Sequence, residues 1–224
     1  MNLWPHQIKT VEFAEENKYA ILALEMGLGK GACALETFRR TGRNLVVVCP
    51  SYLISNWENE VNKFLPGEYK IVKVKDGKSI PKTPGGNIVI ISYELAQKAE
   101  HLFYWADFLV LDEANYVKSM KAKRTQFLHR VIYEASIKRV LLLTGTPIKN
   151  RVEEYYSLLA ICNYSPHGTK TDFLKRFPSS VHFADHFSFR HEFDMPIRNR
   201  HVKIVKWEGI RNIEIGRASC RERV

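Results

Sequence analysis

The chain has 224 residues, 45% of them hydrophobic and 26% charged, enough to bury a full core in one large α/β domain or two small ones. Its formal charge of +10 suits a polyanionic partner such as nucleic acid, although residues 215–224, with three Arg and one Glu, contribute +2 of it. No apolar run is long enough for a membrane span, and Pro5, His6 and Gln7 interrupt any signal peptide; the four cysteines, Cys33, Cys49, Cys162 and Cys220, form no Cys-x-x-Cys pair, which argues against a zinc site and a disulfide framework. A soluble, intracellular protein is expected.

In chain order, Pro5 suits a first helical position, and Ile8, Val11 and Ala14 follow at helical spacing, so a short amphipathic helix is expected to end near Asn17 and Lys18. Gln7 falls on its first turn. The apolar run 19–24 reads as a buried strand that breaks into Gly27-Leu28-Gly29-Lys30 just before a helix at 32–40. This is a phosphate-binding loop in outline. Glycines let successive N–H groups turn toward one anion, the helix N-terminus adds partial positive charge, and Lys30 supplies a mobile cation. An ordinary strand-to-helix turn also carries such a motif, so the rest of the chain has to decide.

Thr41-Gly42-Arg43-Asn44 is turn chemistry, and residues 45–49 form a continuous apolar run suited to a parallel strand buried on both faces. A helix at 54–64 carries Trp57, Val61 and Phe64 on one side, a strand is expected at 69–74, and the Lys-, Pro- and Gly-rich stretch 76–87 is a surface loop. Residues 88–91 make a further buried strand ending in Ser92-Tyr93-Glu94. Residues 108–111 are another, and run directly into Asp112-Glu113-Ala114-Asn115. Two carboxylates at the end of a buried strand are costly unless they bind metal, pair with a cation or reach solvent, and in an open α/β sheet that end is where ligands collect. A basic segment with Lys118, Lys121, Lys123 and Arg124 leads into a helix carrying Phe127, Leu128 and Val131. The strand 139–143 ends in Thr144-Gly145-Thr146-Pro147, and a helix is expected at 152–161. From Asn163 onward the Phe and His residues show no clean period. His182 and His186 have no Cys or carboxylate at ligand spacing to complete a metal site.

Strands alternating with helices imply a parallel sheet covered on both faces, with three strand ends carrying chemistry: residues 27–30, 112–113 and 144–146. In this order the set resembles the first ATP-binding lobe of the superfamily II helicase-like ATPases, within them the Swi/Snf-type DNA translocases. Met26-Gly27-Leu28-Gly29-Lys30 is similar to that family's first motif, Leu3-x-Pro5-His6-Gln7 to its adenine-reading motif, Asp112-Glu113-Ala114-Asn115 to its Asp-Glu-x-His box, and Leu143-Thr144-Gly145-Thr146-Pro147 to its third motif. Val47-Val48-Cys49-Pro50-Ser51 with Trp57, and Ile91-Ser92-Tyr93-Glu94, resemble two further blocks. Arg151-Val152-Glu153-Glu154-Tyr155-Tyr156 leans toward the annealing-helicase branch.

The resemblance implies a RecA-like three-layer α/β/α sandwich over residues 1–214, with a core at 3–162 and a looser part at 163–214. It implies ATP as substrate and Mg²⁺ as cofactor. Met26, Gly27, Leu28, Gly29, Lys30 and Gly31 would surround the phosphates, Gln7 would read adenine, Asp112 would hold the metal, and Glu113 would orient and deprotonate the attacking water. Asn115, Thr144, Gly145 and Thr146 would couple nucleotide state to a DNA-facing side, where Ser51, Ser92, Tyr93 and Lys118 are candidates for backbone phosphate contacts.

The chain also departs from the pattern. Gly31 stands where the loop ordinarily has a Thr or Ser hydroxyl on Mg²⁺, with water left to fill the place, so weak metal coordination and slow turnover are expected. Asn115 replaces the His of the box, and Leu24 stands where an acidic residue is common. A lobe truncated before the second one, which would supply arginine fingers, is expected, and residues 215–224 read as a non-native, disordered tail. The short start at Met1 favours a bacterial or phage cytoplasmic protein over a nuclear one. Two other functions stay open: a non-catalytic, nucleotide-dependent DNA-binding module, and an RNA helicase lobe.

Overall fold

The computed structural model describes residues 2–146 and 153–162, the isolated positions Lys175 and Ser179, and the backbone of two strands at 189–197 and 200–208. Helix α1 (Pro5–Glu16) leads into β1 (Tyr19–Ala23), and the elements then alternate: α2 (Lys30–Thr41), β2 (Leu45–Cys49), α3 (Ile54–Phe64), β3 (Ile71–Val74), β4 (Ile88–Ser92), the short helices α4 (Tyr93–Ala96) and α5 (His101–Trp105), β5 (Phe108–Leu111), α6 (Lys123–Glu134), β6 (Arg139–Thr144) and α7 (Glu153–Cys162). The first six strands form one sheet, in the order β1-β6-β5-β2-β4-β3, parallel throughout.

The central strands carry continuous apolar runs, with polar residues only at their ends (Ser92 of β4, Arg139 and Thr144 of β6), because both faces are covered. Leu45, Val47 and Cys49 of β2, Ile88 and Ile90 of β4, Phe108 and Val110 of β5 and Leu141 and Leu143 of β6 pack with Val11, Leu35, Phe38, Trp57 and Val61 from α1, α2 and α3. The intervening residues, Val46, Val48, Val89, Ile91, Leu109, Leu111, Val140 and Leu142, pack on the opposite side with Leu102, Phe127, Leu128, Val131 and Leu158 from α5, α6 and α7. The period of two divides each strand between two cores, and each buried aliphatic side chain contributes about 1.5–3 kcal/mol. The result is the three-layer α/β/α sandwich expected from the alternation.

Two local differences have physical causes. The strand expected from residue 69 begins at Ile71, since the Tyr69 ring is turned onto Phe38, 5.1 Å between centroids, and leaves the ladder. The stretch after Asn163, in which no period was evident, holds an antiparallel hairpin, β7 (Phe189–Ile197) with β8 (Arg200–Glu208). His182, His186 and residues 215–224 lie outside the described residues.

Candidate nucleotide-binding site

The strand order brings the carboxyl ends of β1, β6, β5 and β2 side by side, so segments distant in sequence meet on one edge of the sheet. After β1 the chain turns through Gly27 at φ 85° and Gly29 at φ 79°, values that a side chain would strain, and α2 starts at Lys30. The loop is held from the side by α1. Gln7 Nε2 donates to the Leu28 carbonyl at 3.2 Å, His6 Nε2 donates to the same oxygen at 3.2 Å, and Gln7 Oε1 accepts from the Trp4 N–H at 2.9 Å. Both ends of the Gln7 amide are therefore engaged within the chain, leaving one N–H and one lone pair for an adenine edge. Lys30 Nζ donates to the Leu24 and Glu25 carbonyls at 3.0 and 3.1 Å, which points the ammonium along the base of the loop.

From β5 the chain delivers Asp112 and Glu113 opposite that loop. Asp112 is fixed at both oxygens: Oδ2 accepts from Trp57 Nε1 at 2.8 Å, Oδ1 accepts from the Glu113 N–H at 2.9 Å. Its main chain is anchored too, with Tyr93 Oη donating to the Asp112 carbonyl at 2.8 Å. Burial raises the Asp112 pKa, opposed by the Trp57 bond, the Glu113 N–H and Lys30. Glu113 is raised by burial and by the neighbouring Asp112 charge, and its backbone sits at φ 48°, ψ 57°, a left-handed conformation that non-glycine residues rarely adopt.

A cavity of about 350 Å³ lies between these groups, lined by Met26, Gly27, Gly29, Lys30 and Gly31 of the loop, Leu53, Asn56, Trp57 and Glu60 of and beside α3, and Asp112 and Glu113. Sequence reasoning placed the loop and the carboxylates there but missed Glu60 and the polar role of Trp57. Trp57 was assigned to the apolar stripe of α3, which it does join through its ring while its N–H reaches Asp112. The available signal was the three-residue spacing of Trp57 and Glu60, which puts both on one helix face next to a loop at a strand end. The place left beside Gly31 is not open to water either, because the Glu60 carboxylate fills it.

The remaining candidates separate. Asn115 Nδ2 donates to Thr146 Oγ1 at 3.0 Å, and the Thr146 N–H donates to Thr144 Oγ1 at 3.1 Å, so the residue in the His position still bridges β5 to β6. A β-carbon on Gly145 would stand 3.6 Å from Met26 and 3.9 Å from Lys30 Nζ, placing this turn directly against the loop. Ser92 and Tyr93, the candidate phosphate contacts after β4, are buried, at 3% and 2% exposure, and Tyr93 stacks on Tyr116 at 5.1 Å. Ser51 is exposed. Lys118 pairs with Glu154 of α7 at 2.8 Å.

A parallel sheet with a glycine loop and lysine after β1, and a paired carboxylate box after β5, defines a RecA-like P-loop nucleotide-binding domain. The SNF2-related domain matches residues 6–206, and the chain belongs to that family: it is a helicase-like ATPase domain. It is similar to an uncharacterized ATP-dependent helicase of Bacillus subtilis, YqhH, with 29% identity covering 90% of this chain and 39% of the relative. It is also similar to a DNA repair and recombination protein RAD54-like of Drosophila grimshawi, with 29% identity covering 80% of this chain and 26% of the relative. Among solved structures, the Sulfolobus solfataricus SWI2/SNF2 ATPase core in complex with dsDNA superposes with a TM-score of 0.65 and 26% identity, over 79% of this chain and 39% of that one. The chain thus spans about a quarter to two fifths of the length of these proteins. Among the described residues no helix is long and apolar enough to cross a membrane.

Proposed function

We propose that this chain is the ATP-binding lobe of a Swi/Snf-like, DNA-dependent ATPase that moves along duplex or branched DNA together with a second lobe. The observation that carries the proposal is the convergence of Lys30, Asp112 and Glu113 on one cavity, with Asp112 locked by Trp57. ATP is the substrate. Lys30 and the N–H groups at the start of α2 bind its outer phosphates, and the remaining N–H and lone pair of Gln7 meet the adenine edge. Glu113, its pKa raised by burial and by Asp112, accepts the proton of the attacking water and orients it toward the γ phosphorus.

The residues present fit a divalent cation. Asp112 is a carboxylate held in one orientation, and Glu60 Oε2 is sealed from solvent without a hydrogen-bond partner. No three His, Cys, Asp or Glu side chains converge into an all-protein metal cage among the described residues, in keeping with Mg²⁺, which is held by one or two carboxylates and by substrate phosphates. Held by Asp112 together with the nucleotide, Mg²⁺ would supply neutralisation of phosphate charge. The Asn115–Thr146–Thr144 bridge links the carboxylate box to β6, the route by which nucleotide state would reach a DNA-facing side on which exposed Ser51 meets backbone phosphate.

Steady-state ATP hydrolysis with and without duplex DNA, beside a Glu113→Gln variant, tests this. DNA-stimulated turnover that the variant abolishes is the expected result when the second lobe is supplied. ATP binding without turnover under the same conditions would instead favour a non-catalytic nucleotide-dependent DNA-binding module, the reading that Gly31 motivates.

A further inference from the structure

Gly31 has lost the hydroxyl that a phosphate-binding loop ordinarily gives to Mg²⁺, yet the volume beside it is filled. A β-carbon built on Gly31 would fall 1.8 Å from Glu60 Oε2, 2.8 Å from its Cδ and 3.2 Å from Oε1. The Glu60 carboxylate therefore stands where the side chain of a Thr or Ser at position 31 would stand. Its Oε2 is buried and has no hydrogen-bond partner, although a carboxylate oxygen withdrawn from water is costly unless something pairs with it. The geometry is set by α3. Trp57, one turn earlier on the same face, binds Asp112 Oδ2 at 2.8 Å, so a single helix orients the carboxylate proposed to hold the metal and brings a second one to the loop.

We infer that Glu60 is a Mg²⁺ ligand that replaces the missing loop hydroxyl, so that Gly31 and Glu60 act as a matched pair: the glycine makes room and the carboxylate supplies the oxygen. The inference rests on the ATP-binding reading of the site. It corrects the consequence drawn from Gly31 alone, because a carboxylate is a stronger ligand for a hard cation than the neutral hydroxyl it replaces. It also adds a negative charge next to the phosphates, which repels nucleotide when no metal is present. The site then depends on Mg²⁺ more strongly than one with a Thr at position 31.

The test is calorimetric titration of the full chain with ADP, in EDTA and in Mg²⁺, which reads binding without turnover. The parent chain is expected to bind ADP much more tightly in Mg²⁺. In Glu60→Gln, which keeps shape and loses charge, that Mg²⁺ gain should fall by about ten- to hundredfold, the scale of losing a group that holds a metal, while affinity in EDTA is unchanged or higher. Gly31→Thr alone should bind ADP·Mg²⁺ poorly because its side chain collides with Glu60, and Gly31→Thr/Glu60→Ala should recover the Mg²⁺ gain by restoring the hydroxyl in the vacated volume. A folded Glu60→Gln chain with the full Mg²⁺ gain overturns the inference. Should Glu60→Gln not fold, the double variant decides: recovery supports the pair, and a folded double variant without Mg²⁺ dependence overturns it. ADP binding by the parent that ignores Mg²⁺ sinks the inference but spares the nucleotide reading, whereas no ADP binding in either medium sinks both.

Discussion

Glu113 shows how the site carries a cost in stability. Its left-handed backbone, φ 48° and ψ 57°, costs a non-glycine residue about 1–2 kcal/mol, and its carboxyl is further disfavoured by burial and by Asp112. Replacing it should therefore stabilise the fold while removing the base. Glu113→Gly is expected to raise the Tm by about 2–4 °C, the shift that 1 kcal/mol gives in a domain of this size, and to abolish hydrolysis while ADP still binds. Glu113→Ala separates the causes, since it removes the charge but keeps a β-carbon in the strained conformation. Equal Tm values for the Gly and Ala variants in a thermal scan would show that the backbone stores no strain.

Among the elements, α1 depends on a residue of β6 that lies 122 to 125 positions away from its contacts in sequence. Its last turn carries no basic residue, and its terminal carbonyls are instead served by Arg139 of β6, which donates to Ala14, to Glu15 at 3.1 Å and to Asn17 at 3.4 Å. Because α1 also presents His6 and Gln7 to Leu28, this one guanidinium steadies the side of the phosphate loop. Arg139→Ala should cost about 1–3 kcal/mol in stability, speed amide exchange across α1 and weaken ADP binding several-fold; ADP affinity at the parent value would show that the loop does not lean on α1. The central strands of the large sheet were legible in the sequence because burial on both faces leaves unbroken apolar runs, and the strand ends were legible because charges such as Asp112 stop those runs abruptly. Glu60 was not, since an acid on an amphipathic helix reads as solvated until the phosphate loop is placed beside it. The hairpin of β7 and β8 was hidden for another reason: Phe193, Met195 and Ile197 do alternate with Asp194 and Pro196, but the Phe and His residues around them are spaced irregularly, and strand pairing is a non-local property.

At the scale of the whole molecule, acid acts on two sets of buried groups in opposite directions. His129 of α6 is buried, with Nε2 3.3 Å from Ser157 Oγ of α7, and burial lowers its pKa from 6.5 to about 4. Glu36 of α2 is buried between Arg39 and Arg40, whose hydrogen bonds and charges lower its carboxyl from 4.5 to about 2. For both, the unfolded chain takes up the proton first, so the stability they provide is complete above the ordinary value and is lost as pH falls toward the lowered one. Glu60, Asp112 and Glu113 are raised, mainly by burial, so the folded chain takes up their protons first; the stability they provide is present in acid and lost as pH rises through their raised values. The site is thus a standing cost at neutral pH that the structural groups offset. Two steps are expected in an acid titration of unfolding free energy. Between pH 6.5 and about 4 the loss on the order of 3 kcal/mol belongs to His129, and His129→Gln should flatten it. Below pH 4.5 a further loss of about 2 kcal/mol, reduced by solvent around the half-exposed arginines, belongs to Glu36, and Glu36→Gln should flatten that limb alone. Urea unfolding measured across this range decides the assignment, and an upper limb that persists in His129→Gln would mean that a different group charges as the core opens.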